Sequence, residues 1–332
     1  MDGPLISRVA ASCFWMSRYV ERAENTARLA GVNRAFVLDV DLPVPEQWWP
    51  VVVAIGEQER IREHLPEAAL LDGERVLEYL TWNEDNSVSI ASSIHSAREN
   101  ARTIREVISL EMWETLNTFQ HWLRGGKGRR LFREDPEEFF DRVRDHSSTF
   151  QGLAHNTMPH ESAFDFMRMG MLIERAGWTA RILDVKHHRL DLGAGEVDTP
   201  VEAAHAIALL RSCSATDPFF RMRHGAPTGR RVVDFLLRAP NFPRSVTHCL
   251  DRAWNFLRRV RPDNGLTGDR SAKLLAALVK DMQALGPDTV FERGLHGELT
   301  RIIDTTAAVC DAIHHDYFAP DVAALRAHQT EQ

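Results

Sequence analysis

The sequence is poor in cysteine, and its few thiols are scattered. Only four cysteines occur in 332 residues, and no two of them form a Cys-x-x-Cys pair. This arrangement favours neither a disulfide framework nor a cysteine-ligated metal site. We therefore expect reduced thiols that act as small core residues in a cytoplasmic protein. They are Cys13, Cys213, Cys249 and Cys310.

Long hydrophobic stretches are also absent. The longest apolar runs, such as residues 51–55, fall far short of the roughly 20 residues that span a bilayer. Near the start of the chain, Asp2 and Arg8 interrupt the pattern of an export signal. We therefore expect neither membrane insertion nor export.

Positive charge is not in excess. Forty lysines and arginines stand against 47 aspartates and glutamates, which gives a formal net charge of −7. A nucleic-acid binder uses a cationic face to displace the counterions of the phosphates. The charge balance therefore argues against general nucleic-acid binding, while a local basic patch stays compatible with it.

Familiar catalytic and metal-binding motifs are missing as well. The sequence lacks the two Glu-x-x-His motifs with further glutamates that a di-metal bundle uses, and it has no Gly-x-Ser-x-Gly nucleophile motif. Residues 124–130 are glycine-rich and cationic, but they lack the spacing of an ATP phosphate loop. We expect them to form a flexible basic loop that touches an acidic surface of a partner. The sequence predicts no metal and no cofactor.

Strand signals are scarce, whereas helical periodicity recurs from end to end. Residues 8–31 show it most clearly, because their apolar residues alternate steps of four and three and so form one seam on a helix. Residues 90–108 repeat this pattern. We therefore predict an all-α fold, arranged as an antiparallel helical bundle. The first seam consists of Val9, Cys13, Met16, Val20, Ala23, Ala27 and Ala30.

A segment near the start of the chain recurs in its second half. Residues 19–29 and 172–182 align without a gap, and they share Glu, Arg, Ala, Thr, Ala and Arg at matching positions. The apolar seam recurs with the letters, so chance similarity is a poor explanation. We predict a single domain with two pseudo-repeated halves. The domain spans residues 1–332, and its possible halves are residues 1–150 and 151–332. The repeated segments are residues 7–31 and 160–184.

Each copy carries a glutamate–arginine doublet beside its seam, Glu21–Arg22 in the first and Glu174–Arg175 in the second. On a helix, Arg28 and Arg181 lie two turns after the glutamates and share their stripe. Small seam residues let another backbone approach closely, so charges beside them become partly buried and must pair.

Three interpretations of the doublets remain open. They form buried ion pairs that fix the register of crossing helices, or they lie on solvated faces. In the third interpretation, the arginines converge on a carboxylate or phosphate, for which the planar guanidinium fork is suited.

A further charged stretch carries Arg98, Arg102 and Arg105 at steps of four and three along one helical face. Three like charges in a row repel one another unless carboxylates or a ligand neutralise them. Glu99, Glu106 and Glu24 are candidates for neutralisation within the chain.

The motifs around the first doublet resemble the opening of the alpha-E family, which is named for its all-helical character and its Glu-Arg motif. The similarity covers nearly the whole chain, in order. It is carried by residues 7–28, 86–90, 97–102, 111–117, 173–176, 210–215, 235–237 and 242–246.

This resemblance implies a bacterial cytoplasmic protein associated with a circularly permuted ATP-grasp protein. The same setting often includes transglutaminase-like proteins and sometimes a proteasome-like peptidase system. Association with these proteins implies ATP-dependent formation of an amide or peptide bond on a small-molecule or peptide substrate.

We therefore predict an accessory or substrate-binding partner of an ATP-grasp ligase. The expected site is the crevice between the two Glu-Arg helices, joined by the face of Arg98 to Arg105. One alternative is an enzyme that transfers amide or peptide groups with Glu21 or Glu174 as general base. Another is a purely structural helical scaffold. The residues expected to bind an anionic group are Arg22, Arg28, Arg98, Arg102, Arg105, Arg175, Arg181 and Arg244.

Overall fold

The computed structural model describes residues 7–66, 70–185, 200–223, 225–260 and 269–318. Within these ranges the regular elements are all helical and none is a strand. The predicted all-α class is therefore confirmed. Among the described helices, none combines the length and the hydrophobicity that crossing a bilayer requires.

The helices divide into those before and those after residue 160. The earlier ones are α1 (Ser7–Asp39), α2 (Val44–Ile55), α3 (Arg60–His64), α4 (Gly73–Trp82), α5 (Ile90–Thr103), α6 (Leu110–Arg124), α7 (Lys127–Glu134) and α8 (Pro136–Thr157). The later ones are α9 (Ser162–Val185), α10 (Pro200–Ser212), α11 (Thr216–Met222), α12 (Gly229–Arg238), α13 (Val246–Val260), α14 (Asp269–Ala284), α15 (Thr289–Glu292), α16 (Leu295–Ile313) and a π-helical turn (His314–Phe318).

Short polar side chains determine where several helices begin. Ser89 and Ser109 precede α5 and α6, and each accepts a bond from a backbone N–H in the first turn. Asp135 does the same for α8, whose first residue is Pro136. These caps satisfy N–H groups that have no partner within a helix, and proline suits the first position because it has no N–H.

Helix α1 lies at the centre of the fold. It packs against α5, α8 and α9, and it continues past the predicted end at residue 31 to Asp39. Contacts on several sides explain why its hydrophobic pattern is not confined to one stripe. The predicted seam is buried throughout, at Val9, Cys13, Met16, Val20, Ala23, Ala27 and Ala30.

The backbones of α1 and α9 approach each other closely. A Cβ atom placed on Gly170 of α9 would lie 2.3 Å from the carbonyl oxygen of Phe14 in α1. Nearby, the Ser17 hydroxyl donates a hydrogen bond to the Met167 carbonyl oxygen at 2.6 Å. Because no side chain separates the helices here, charged residues one or two turns further along can reach across the contact.

Helix α5 runs antiparallel to α1. The hydroxyls of Ser12 and Thr103 are 3.1 Å apart, while the Thr26 hydroxyl donates to the Val88 carbonyl oxygen at 3.4 Å. The helix ends at Thr103 rather than at residue 108, since Ile104 leaves helical geometry with φ −133° and ψ 32°. The first turn of α5 consequently lies beside the middle of α1.

The glycine-rich basic stretch forms a tight turn rather than a flexible loop. Helix α6 ends at Arg124, and α7 begins three residues later at Lys127. Gly126 has φ 77°, in the left-handed region that glycine adopts readily. The Gly125 N–H also donates a hydrogen bond to the His121 carbonyl oxygen at 2.8 Å. The expectation of a flexible loop is therefore wrong, because these residues hold α7 against the end of α6.

Candidate functional site

The two glutamate–arginine doublets exchange partners across the contact of α1 and α9. Arg175 donates from Nε and Nη2 to the two carboxylate oxygens of Glu21 at 2.8 and 2.7 Å. In the opposite direction, Arg22 donates from Nε and Nη2 to the two oxygens of Glu174 at 2.7 and 3.1 Å. Each guanidinium therefore binds a carboxylate on the other helix through two parallel hydrogen bonds, which is the strongest geometry for such a pair.

Further charges gather around Glu21 to form what we call the inner cluster: Glu21, Glu24, Arg28, Arg175 and Arg244. Arg244, just before α13, donates to Glu21 at 3.0 Å and also pairs with Glu24. Arg28 donates to Glu24 at 2.7 Å. The Glu21 carboxylate is fully buried, so these partners replace the water that it loses on folding.

Gln151 of α8 completes the inner cluster. Its amide donates to Glu21 at 3.0 Å and to Glu24 at 3.3 Å, while its carbonyl oxygen accepts from Arg175 at 3.3 Å. The arginines expected to bind an anion here, Arg28, Arg175 and Arg244, are thus already engaged by carboxylates of the chain itself. The inner cluster consequently favours the interpretation of buried ion pairs.

Glu174 lies in a different environment, beside what we call the Arg181 cavity. Arg18 donates to Glu174 at 2.9 and 2.6 Å, so this carboxylate is held by the guanidiniums of both Arg18 and Arg22. Arg181 faces the same cavity, and no residue in the described ranges forms an ion pair or hydrogen bond with its guanidinium. The cavity measures about 130 Å³.

The Arg181 cavity carries an excess of positive charge, because three guanidiniums line it together with one carboxylate. Burial lowers the pKa of Arg181, and although Glu174 opposes this, the nearby charges of Arg22 and Arg18 lower it further. Guanidiniums that lie this close together repel one another. An anion bound there would relieve the repulsion.

Both glutamates are weak bases. Burial alone would raise the pKa of Glu21, but the Arg175 and Arg244 guanidiniums outweigh it and lower the pKa from 4.5 to about 2. Burial also opposes ionisation of Glu174, yet Arg22 and Arg18 hold its pKa well below 4.5. An efficient general base has a pKa near the working pH. This geometry therefore speaks against the alternative in which either carboxylate accepts a proton from substrate.

The lowered pKa of Glu21 in the folded chain predicts that the protein loses stability in acid. Above pH 4.5, Glu21 is charged in the folded and unfolded states, and its ion pairs stabilise the fold fully. As the pH falls from 4.5 to about 2, the unfolded chain binds a proton that the folded chain does not. We expect the free energy of unfolding to fall by on the order of 3 kcal/mol from this group across that interval.

Urea unfolding followed at successive pH values measures this effect. The variant Glu21→Gln should start from a lower stability and lose less of it in acid than the wild type. The variant Glu111→Gln is the matched control, since Glu111 is exposed on α6. Equal acid dependence of the wild type and Glu21→Gln would contradict the assignment.

The arginines near the end of α5 lie elsewhere. Glu99 accepts hydrogen bonds from Arg98 at 2.7 Å and from Arg102 at 3.0 Å, so it neutralises these two arginines as expected. Arg98 and Arg105 place their guanidiniums over the Trp113 ring of α6, at 5.3 and 4.9 Å from its centre. None of the three arginines lines the Arg181 cavity. The prediction that they join the crevice is wrong, because Arg98 and Arg105 lie against Trp113 of α6 and Arg102 pairs with Glu99 at the surface.

Two members of this constellation were not predicted from the sequence: Arg18 and Gln151. Arg18 precedes Arg22 by one helical turn and so shares its stripe, a signal that the sequence does contain. Gln151 shows no such signal, because its role depends on how α8 packs against α1.

Comparison with known proteins agrees with this description. A family model named Alpha-E, described as a predicted alpha-helical domain with a conserved ER motif, matches residues 5–318. Similar curated proteins include "Uncharacterized protein Mb2597" of Mycobacterium bovis, with 23% identity, and "Uncharacterized protein Rv2567" of Mycobacterium tuberculosis, with 22% identity. Each alignment spans 324 residues and covers 89% of this chain but 35% of the relative.

The chain thus spans about one third of the length of these relatives. No solved structure matches it. The family match extends over nearly the whole sequence and includes both glutamate–arginine doublets. The chain therefore belongs to the Alpha-E family.

Proposed function

We propose that this chain is a substrate-binding partner of a circularly permuted ATP-grasp ligase in the bacterial cytoplasm. In this role it holds an anionic group of a small-molecule or peptide substrate while the ligase forms an amide or peptide bond at the expense of ATP. The resemblance described above supports the partnership. The charge of the Arg181 cavity supports the binding role.

The observation that carries the binding role is the set of unused donors in the Arg181 cavity. Arg18 and Arg22 bind Glu174 through Nε and Nη2, which leaves the Nη1 group of each without a partner in the described chain. Arg181 has its entire guanidinium available there, and this fork can form two parallel bonds with a carboxylate or phosphate.

The size of the cavity limits what it can hold. Its volume of about 130 Å³ is small beside the roughly 300–1,000 Å³ of pockets that enclose a whole drug-sized ligand. It therefore suits one carboxylate or phosphate group of a larger molecule. A substrate of amide bond formation carries a carboxylate, which is consistent with the proposed role.

The first prediction from this proposal concerns Arg181. We expect Arg181→Gln to weaken binding of inorganic phosphate and of glutarate by about tenfold, because it removes the guanidinium that no carboxylate engages. Stability should change by less than about 1 kcal/mol, since no ion pair is broken. Isothermal titration calorimetry and urea unfolding measure the two quantities.

Arg252→Gln is the matched control, since it removes an equal charge from an exposed position on α13. It should leave both anion affinities unchanged. Equal affinities in the wild type and Arg181→Gln would contradict anion binding in the Arg181 cavity.

The partnership is tested separately. The chain and a circularly permuted ATP-grasp protein from the same bacterium should co-purify, and their mixture with ATP should yield a new amide that mass spectrometry detects. Clean separation of the two proteins at micromolar concentration would contradict the partnership.

A further inference from the structure

A second and larger concavity lies next to the Arg181 cavity, and we call it the α5–α7 cleft. Its volume of about 870 Å³ is large enough for a whole small ligand. Helix α1 contributes Arg22 to its wall, α5 contributes Ser96, α6 contributes Gln120 and Arg124, and α7 contributes Arg129. Arg22 also faces the Arg181 cavity, but the other four residues do not.

Positive charge exceeds negative charge in the α5–α7 cleft. Arg22, Arg124 and Arg129 face it, against the single carboxylate of Glu84. Arg124 and Arg129 are exposed, and neither has a carboxylate partner among the described residues. The first turn of α5 opens toward the same cleft, and the positive end of its dipole adds to the attraction for anions. The cleft thus favours a ligand with more than one negative charge.

Gln120 adds a different requirement. Its side chain is only about 5% exposed, and its carbonyl oxygen has no hydrogen-bond donor within the described structure. The oxygen itself is buried, and a buried acceptor without a donor costs about 1–3 kcal/mol, so a ligand that draws the amide toward the cleft and donates a hydrogen bond to it would recover stability. Simple inorganic anions have no N–H group to offer, whereas a peptide has one at nearly every residue.

Aromatic stacking is not what the cleft provides. The guanidinium of Arg129 lies over the Trp82 ring, 4.7 Å from its centre, and Arg22 lies over the Tyr19 ring at 5.5 Å. An arginine covers one face of each ring, and Trp82 and Tyr19 also pack against aromatic residues of the chain, so stacking of a planar base is disfavoured. Arg129 is at the same time held in place for an anion.

We propose that the α5–α7 cleft binds a short acidic peptide. One carboxylate pairs with Arg124 and Arg129 at the exposed rim, a second lies against Arg22, and a backbone N–H between them donates to Gln120, whose amide turns toward the cleft to accept it. This inference goes beyond the proposed function, because it requires neither the ligase nor the guanidinium of Arg181.

Calorimetric titration of the full chain with tetraglutamate tests the proposal. We expect tetraglutamate to bind and tetraglutamine, which has the same backbone without carboxylates, to bind at least tenfold more weakly. The double variant R124Q/R129Q should weaken tetraglutamate binding by about tenfold. The double variant R130Q/R133Q is the matched control, since it removes the same charge from exposed positions of α7 that do not line the cleft.

Two further comparisons decide between a peptide site and a simple basic patch. Gln120→Met should weaken tetraglutamate binding by about fivefold and leave the affinity for tripolyphosphate unchanged. Equal loss in R124Q/R129Q and R130Q/R133Q, or no effect of Gln120→Met, would overturn the proposal. Loss of tetraglutamate binding in Arg181→Gln would also overturn it, because the peptide would then occupy the Arg181 cavity, and the proposed function would stand.

Discussion

Replacing Arg175 by alanine is expected to lower the free energy of unfolding by about 3–5 kcal/mol. The substitution removes both hydrogen bonds that Arg175 donates to Glu21, whose carboxylate is completely buried. Arg244 and Gln151 remain as donors, but Arg244 is shared with Glu24. The buried charge of Glu21 therefore loses its principal partner without regaining water, and that desolvation dominates the cost.

Urea unfolding followed by tryptophan fluorescence measures this loss. Arg102→Ala is the control, because Arg102 pairs with Glu99 at the surface, where its side chain is 61% exposed. Such surface pairs contribute about 0–1 kcal/mol, so the control variant should stay within that range. Similar losses in the two variants would mean that the inner cluster is worth no more than a solvated pair.

The helical elements around the site could be predicted from the sequence, because they depend on local periodicity. The seam from Val9 to Ala30 is buried as its spacing indicates. The pairing of the doublets could not be predicted in the same way. Glu21 bonds with Arg175 and Arg244, which lie far along the chain, and only the packing of helices decides which of the many arginines reaches it.

The error at Arg98, Arg102 and Arg105 has a related cause. Their spacing correctly placed the first two on one helical face, but a helical face can meet any neighbour, and here it meets α6. A charge pattern shows which residues lie together on one helix. It does not show which side of the helix faces the site, because that depends on burial of the apolar residues Ile94, Ala97 and Ala101 on another side.

Close backbone contact and charge pairing depend on each other in this fold. Gly170 and Ser17 bring α1 and α9 together, and the doublets lie one to two turns further along the same interface. The seam residues beside them, Ala23 and Ala176, are small and fully buried. If the helices were held apart at Gly170, the short ion-pair distances at Glu21 and Glu174 could not all be kept. Steric and electrostatic losses should therefore occur together.

Gly170→Ala is accordingly expected to destabilise the protein by about 3 kcal/mol. Helix propensity alone predicts the opposite sign, since alanine is better than glycine in a helix by about 0.5–1 kcal/mol. The steric term outweighs it, because the new Cβ would lie 2.3 Å from the Phe14 carbonyl oxygen. A backbone atom within α1 cannot turn aside as a side chain can, so the two helices must separate. Urea unfolding measures the change.

Gly152→Ala provides the matched control in α8, where an added Cβ meets no atom within 4 Å. With the steric term absent, only propensity acts, so this variant should gain about 0.5–1 kcal/mol. A lower free energy of unfolding in Gly170→Ala and a higher one in Gly152→Ala would isolate the effect of the α1–α9 contact. If Gly170→Ala were as stable as the wild type, α1 and α9 could accommodate the added methyl group. The ion pairs of the doublets would then not depend on the close approach of the two helices.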